Sequence, residues 1–392
     1  MFIKGDIMRK EKITIFCVGI LCLALMLSGC SSDNKISSLM APEPKDPVAV
    51  SVETIPPEPT PEPTPEEPVE EVVEGCYRSE LTNEWIPEEL QNQRPIAAMV
   101  DNESFALPHF GVNSADIVYE IMNSTANDRI TRLMCIVKDY NSVEQLGSIR
   151  STRPTNFMLA AEYNAILVHD GGPFYNDEYY AKDYVNNLSG GFARIPNGKA
   201  LEFTEYVTPE EFTNSKGKTY DGLNKRIEDA KYSKEYNEFY PGAHFTFSND
   251  DYKLSDEGSV KSATNVELPF YHNSSKLKYN EETGTYDYYE YGDGHIDELT
   301  GQITSFKNVI IQGCSFAQLD ENGYLIYNVI GQGDHGYFLT NGEAVPIMWI
   351  KNGETAITVF TNTDNGQEIV LNTGKTYIAV VPDDTWDEVV IN

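Results

Sequence analysis

The chain has few of the residues and patterns on which enzyme chemistry usually rests. It contains six histidines, and no G-x-S-x-G, H-E-x-x-H, P-loop or EF-hand pattern can be found along its 392 residues. Nothing therefore points to the nucleophile-elbow hydrolases, the H-E-x-x-H zinc peptidases, the P-loop nucleotide hydrolases or the EF-hand calcium sensors. Cysteine is equally scarce. Of the six, Cys17 and Cys22 fall in an apolar leader and Cys30 ends it, leaving Cys76, Cys135 and Cys314 with no C-x-x-C pair. Three such thiols make neither a disulfide framework nor a cysteine zinc site. Cys135, inside the apolar run RLMCIV, reads as a core thiol. No cofactor and no metal is expected.

Positive charge is also short. Lys and Arg number 29 against 61 Asp and Glu, for a net charge of −32. The leader contributes +2, from Lys4, Arg9, Lys10 and Lys12 against Asp6 and Glu11, so the remainder carries −34. That balance excludes nucleic acid as a partner and excludes a polybasic grip on anionic lipid. It is compatible with cationic partners or divalent metal, or with solubility alone.

What is present begins at the N-terminus. A basic stretch precedes an almost unbroken apolar run over residues 13–27, too short for a comfortable membrane span of ~20 residues. The run ends Leu27-Ser28-Gly29-Cys30. An apolar residue, two small ones and a Cys form a lipobox, in which the small residues fit the peptidase and the thiol takes the diacylglycerol. Residues 1–30 thus predict a lipoprotein signal peptide. Cys30 is the expected site of lipidation, palmitate included, and the bilayer is the expected partner through it. The expected address is the outer face of the cytoplasmic membrane. Residues 31–75 follow with the core PPEPTPEPTPEEPVEEVVE. Closely spaced Pro removes backbone donors and favours extended polyproline geometry, while Glu repulsion stiffens the coil. This is a disordered spacer, able at ~3 Å per residue to reach on the order of 100 Å.

About 315 residues remain, enough for two domains, expected at 76–234 and 235–392. In the first, residues 94–100, 115–120, 131–138 and 164–169 read as strands. Residues 155–162, after Pro154, read as a helix. Mixed strand and helix predicts a layered α/β N-terminal domain. The second reads as mainly antiparallel β, with hairpins at 277–289 and 336–351 turned by Glu282-Thr283-Gly284 and Asn341-Gly342. The class expected for the whole is α+β.

Three polar constellations are candidates for function. Arg150, Ser151 and Arg153 stand just ahead of the predicted helix. Two guanidinium forks beside a helix N-terminus suit a phosphate or carboxylate. Internal pairing with Asp101, Asp116 or Glu120 is the plainer alternative. His169, Gly171 and Gly172 end a predicted strand, where ligands often sit in α/β sheets. A His there can serve as general base, with Asp101 and Glu120 as companions, or simply hold the strand end. His295-x-Asp297 can orient a His for catalysis or, with Asp293, offer a metal ligand, but a loop hydrogen-bond network is the plainer account. Tyr is abundant at 24 residues, which suits carbohydrate or protein contact but also sheet surfaces.

Several segments together resemble one family. RPIAAMVDN, SADIVYE, Ile130-Thr131-Arg132, LGSIRSTRP, LVHDGG, TGQITSFKNVIIQ and EIVLNTGKTYIAVVP look like the YerB-like bacterial lipoproteins, in that family's order, over about residues 85–390. The resemblance implies two domains, both of unknown function, in a layered α/β fold on a surface lipoprotein. It supplies no reaction or ligand. The chain departs from the family at Asp170 and at Phe174. It also carries a Tyr/Asp/Lys-rich stretch around residues 174–240, which is expected to reshape any pocket near His169. The function expected from all this is non-enzymatic binding of a cell-wall polymer or an envelope protein. The alternative is a wall hydrolase or transferase that uses a His/Arg/Asp pocket.

Overall fold

Hydrophobic strands of both sequence halves meet in a single sheet. The computed structural model describes residues 72–256 and 258–392. The predicted signal peptide, Cys30 and nearly all of the predicted spacer lie outside the described residues. A twelve-stranded mixed sheet forms the frame. Its main path runs from Lys261–Ser262 through Glu343–Lys351, Gly336–Thr340, Asn308–Cys314 and Thr376–Pro382. It continues through Ile117–Met122, Thr131–Val137, Ile96–Asp101, Ile166–His169 and Asn187–Ser189. The junction between the halves is parallel: Thr376–Pro382 pairs with Ile117–Met122, in the register Ile378 to Tyr119.

The central strands are long apolar runs because both faces are covered. Every residue of Ile96–Asp101, Ile117–Met122, Thr131–Val137, Asn308–Cys314 and Thr376–Pro382 is buried. Alternate side chains then enter different cores. Ala97, Met99, Tyr119, Met134 and Ile378 pack with Phe157, Leu159 and Ala160 of the helix Pro154–Ala161. Ala98, Val118, Cys135, Ile311 and Ala379 face the other way. They pack against Leu277, Tyr286, Tyr288 and Phe306 of a second, six-stranded sheet built on the hairpin Lys276–Asn280 and Thr285–Glu290.

The architecture is mainly β throughout. In the N-terminal half α-helix is confined to Pro154–Ala161, Asp177–Tyr180 and Leu223–Asp229 among the described residues. Those three short segments do not form a helical layer matching the sheet. The expectation of a layered α/β N-terminal domain is therefore not met, because strands from the C-terminal half complete the sheet and a second sheet covers much of one face. Among the described residues no helix is long and apolar enough to cross a membrane.

Candidate functional site

Arg150 and Arg153 leave the same loop toward different partners. Arg150 Nε lies 2.9 Å from Asp101 Oδ2 and its terminal nitrogen 3.2 Å from Glu202. Asp101, at the end of its strand, is also held by Arg132 at 3.1 Å. Arg153 is buried. Its Nε donates to the Asn123 carbonyl at 2.8 Å, and Nη1 donates to the Thr152 carbonyl at 2.8 Å and Ser151 Oγ at 3.2 Å. Tyr324 covers it, 4.7 Å from guanidinium to ring. Burial, aided by Arg132, lowers its pKa to about 10. Side chains of the first helical turn beside it bind backbone N–H groups. Asn156 Oδ1 accepts the Arg153 N–H at 2.9 Å, and Thr155 Oγ1 accepts the Tyr327 N–H at 2.9 Å.

His169 is buried with both ring nitrogens engaged. Nδ1 meets the Gly171 carbonyl at 2.9 Å and Nε2 meets the Asn187 amide nitrogen at 3.2 Å. A carbonyl only accepts and an NH2 donates, so the ring is neutral with its proton on Nδ1. Burial pushes its pKa down to about 4. Gly172 is required by its own loop: a Cβ there would lie 2.1 Å from Asn176 Nδ2. At Gly171, with φ of 74°, the space is open.

His295 and Asp297 do not bond to each other. Asp297 accepts the N–H groups of Leu299, Thr300 and Asn113, closing its turn. His295 Nδ1 meets Thr304 Oγ1 at 2.8 Å, and Nε2 meets His109 Nδ1 at 2.8 Å. Burial lowers the pKa of His295 to about 4.

Glu120 lies fully buried where the two sheets meet. Its Oε1 accepts from Asn102, Thr131, Asn273 and Ser275, and its Oε2 accepts from Tyr288 and Tyr377. Those bonds run from 2.5 to 3.2 Å. Such a carboxylate is well solvated by protein dipoles and has no open face for a substrate. Of its partners, Asn273, Ser275, Tyr288 and Tyr377 belong to the C-terminal half, so the network ties the halves together.

One open site escaped the sequence reading. A cavity of about 650 Å³ is lined by Arg194, Pro196, Asn197, Lys199, Leu201, Asn214, Lys216, Lys218 and Tyr220. Arg194 is spoken for by Asp170 at 3.2 Å and by the buried Glu205. Burial and the neighbouring Asp170 raise the Glu205 pKa to about 7. Lys199 Nζ caps the carbonyls of Ala106 and Leu107. Lys216 and Lys218 sit on the turn between the strands Phe212–Thr213 and Thr219–Tyr220, with the Lys218 ammonium 4.5 Å from the Tyr220 ring centre. Leu201, 72% exposed, supplies an apolar wall. The cavity falls inside the Tyr/Asp/Lys-rich stretch, and Arg194–Asp170 and Arg150–Glu202 join it to both sequence-predicted loops. The clue available in the sequence is the pair of Lys-bearing turns, NGK and SKGK, in a strongly acidic chain.

The comparisons with known proteins agree with this layout. The family model described as "Protein of unknown function (DUF3048) N-terminal domain" matches residues 81–232, and the corresponding C-terminal domain model matches residues 266–378. A Bacillus subtilis (strain 168) protein named "Putative lipoprotein YerB" is 26% identical over 314 residues, covering 78% of this chain and 86% of that protein. The crystal structure of YerB from Bacillus subtilis superposes with a TM-score of 0.63 at 21% identity, over 81% of this chain and 99% of the other, and so shares the fold. The chain belongs to the YerB-like two-domain family, whose N- and C-terminal domains are both described as of unknown function.

Proposed function

We propose that this protein is a non-enzymatic binding lipoprotein, anchored through Cys30 to the outer face of the cytoplasmic membrane, that holds an anionic cell-envelope polymer. The observation that carries the reading is the lysine-lined cavity in a chain of net charge −32. Lys216 and Lys218 carry their charge on an exposed turn, and the aromatic and aliphatic walls of Tyr220 and Leu201 give a polymer apolar contact. Phosphate or carboxylate repeats match both features. Arg150, a quarter exposed and bonded to Glu202 beside Leu201, is the member of the arginine pair best placed to join. The spacer would carry the cavity outward into the wall. The hydrolase or transferase alternative needs an accessible base. His169 and His295 are both buried, with each ring nitrogen engaged, which favours binding.

The test is retention of the full-length lipoprotein, in detergent, on purified Gram-positive walls with and without their teichoic acid. Wild type is expected to stay bound to intact walls and to wash off as salt shortens the Debye length from ~10 Å at 0.1 M to ~3 Å at 1 M. Lys216→Glu/Lys218→Glu is expected to be lost at low salt. Equal retention of the variant and wild type would sink the cavity as the binding site.

A further inference from the structure

We infer that His109, Glu290 and His295 form a binding site for one divalent transition-metal ion, with Zn2+ the best match to the donor set, that clips the two halves of the protein together. This does not rest on the polymer reading above. One nitrogen from each His and one Glu290 oxygen all lie within 4.8 Å of one another. His109 Nδ1 is 2.8 Å from His295 Nε2, which is 3.6 Å from Glu290 Oε1. Two ligands bound at 2.0–2.2 Å in tetrahedral geometry sit about 3.3 Å apart. These two distances bracket that value, and the third pair, His109 with Glu290, would close from no more than 4.8 Å as the ion binds.

Three further features point inward. Glu290 is 2% exposed, and its Oε1 makes no hydrogen bond although it faces the His pair. A buried carboxylate oxygen left so carries a desolvation cost that a cation would remove. His295 Nδ1 is held by Thr304 Oγ1 at 2.8 Å. With the Nδ1 proton donated there, the Nε2 lone pair faces the centre of the cluster, the outer-sphere support that metal-bound imidazoles typically have. Charge points the same way. Glu290 touches Asn273, which bridges to Glu120. None of the hydrogen-bond partners described for these two buried carboxylates is Lys or Arg. A dication would supply the positive charge that both lack. Two imidazoles and one carboxylate suit zinc better than Ca2+ or Mg2+, which favour all-oxygen shells. The ligands also divide between the halves: His109 falls in the N-terminal family match, Glu290 and His295 in the C-terminal one. A bound ion would add its binding free energy to the stability of the assembled protein.

The experiment uses the full-length protein in detergent, stripped with EDTA and titrated with ZnCl2 alone by calorimetry, with thermal melts beside it. Wild type is expected to bind one equivalent and to melt at higher temperature when loaded. The near-isosteric Glu290→Gln is expected to weaken binding at least ~10-fold and to lose most of the rise in Tm. His335→Gln, at an exposed histidine elsewhere, is expected to bind like wild type. X-ray absorption on the loaded wild type gives a readout independent of any variant's folding, and two imidazole ligands are expected. No stoichiometric zinc, a spectrum without imidazole, or a folded Glu290→Gln that binds as tightly as wild type would each overturn the site.

Discussion

The seam between the two sheets and the cavity at residues 194–220 are both polar, yet they use polarity in opposite ways. In the seam, Glu120 is fully buried and takes six hydrogen bonds from Asn102, Thr131, Asn273, Ser275, Tyr288 and Tyr377. Its partners come from both halves, so the network fixes how the sheets dock. In the cavity, Lys216 and Lys218 sit on an exposed two-stranded turn and leave their charge to solvent. Residue chemistry is equally suggestive in the two regions. Accessibility separates them: an acid saturated with donors positions the fold, while an exposed cation is free to meet a ligand.

The largest expected effect lies in the seam. Glu120→Ala takes the shared acceptor from six buried donors in a site water does not reach: the Tyr377 hydroxyl keeps no other described acceptor, and Asn273, Ser275 and Tyr288 keep only one another and Glu290. Each buried donor so stranded costs about 1–3 kcal/mol. Several at once, with the cavity left by the side chain, should lower stability by at least about 4 kcal/mol. Urea unfolding of the variant would read this directly. A loss below about 1 kcal/mol would mean that the network is not what docks the sheets.

The next effect concerns His169, whose neighbour Asp170 pairs with Arg194 at the cavity. Its pKa is lowered to about 4 by burial, against ~6.5 in an unfolded chain. Between those values the unfolded chain takes up the proton and the folded one does not. Stability therefore falls as pH drops from about 6.5 through 4 and is unaffected by this group above that window. The full gap corresponds to about 3 kcal/mol. His169→Gln should flatten that part of the acid limb, measured as ΔG of unfolding against pH. An unchanged limb would show that His169 is not held neutral by the fold.

The strands were legible because burial on both faces turns them into continuous apolar runs. RPIAAMVDN, TRLMCIV and TYIAVVP all lie where their composition puts them. The helix after Arg153 was legible from Pro154. The missing α/β layering was not, because local patterns do not tell which strand pairs with which. The parallel pairing of Thr376–Pro382 with Ile117–Met122 joins segments more than two hundred residues apart. The same limit hid the polar clusters. Glu120 and His295 stood out by residue type, but Asn273, Ser275 and His109 carry no local pattern and matter only through contacts across the seam. The Arg150/Arg153 spacing showed two arginines on one loop, while their different partners depend on Tyr324 and Glu202, both distant in sequence. Lys216 and Lys218 left a compositional trace, two cations in an acidic chain, but the cavity between them and Leu201 exists only in three dimensions.

The smallest expected effect falls in the cavity and guards the interpretation of the rest. Lys216→Ala/Lys218→Ala removes two ammonium groups that make no described ion pair with a carboxylate; the one described contact is that of Lys218 with the Tyr220 ring. An exposed cation–π contact is worth about 0.5–1 kcal/mol and other surface truncations about 0.5 kcal/mol or less. The double variant should therefore unfold within about 1 kcal/mol of wild type. Set against the Glu120→Ala result, that gap measures the contrast between the two regions in one unit. A loss above about 2 kcal/mol would make the lysines part of the fold, and any loss of wall retention on substituting them would then report unfolding rather than a missing contact.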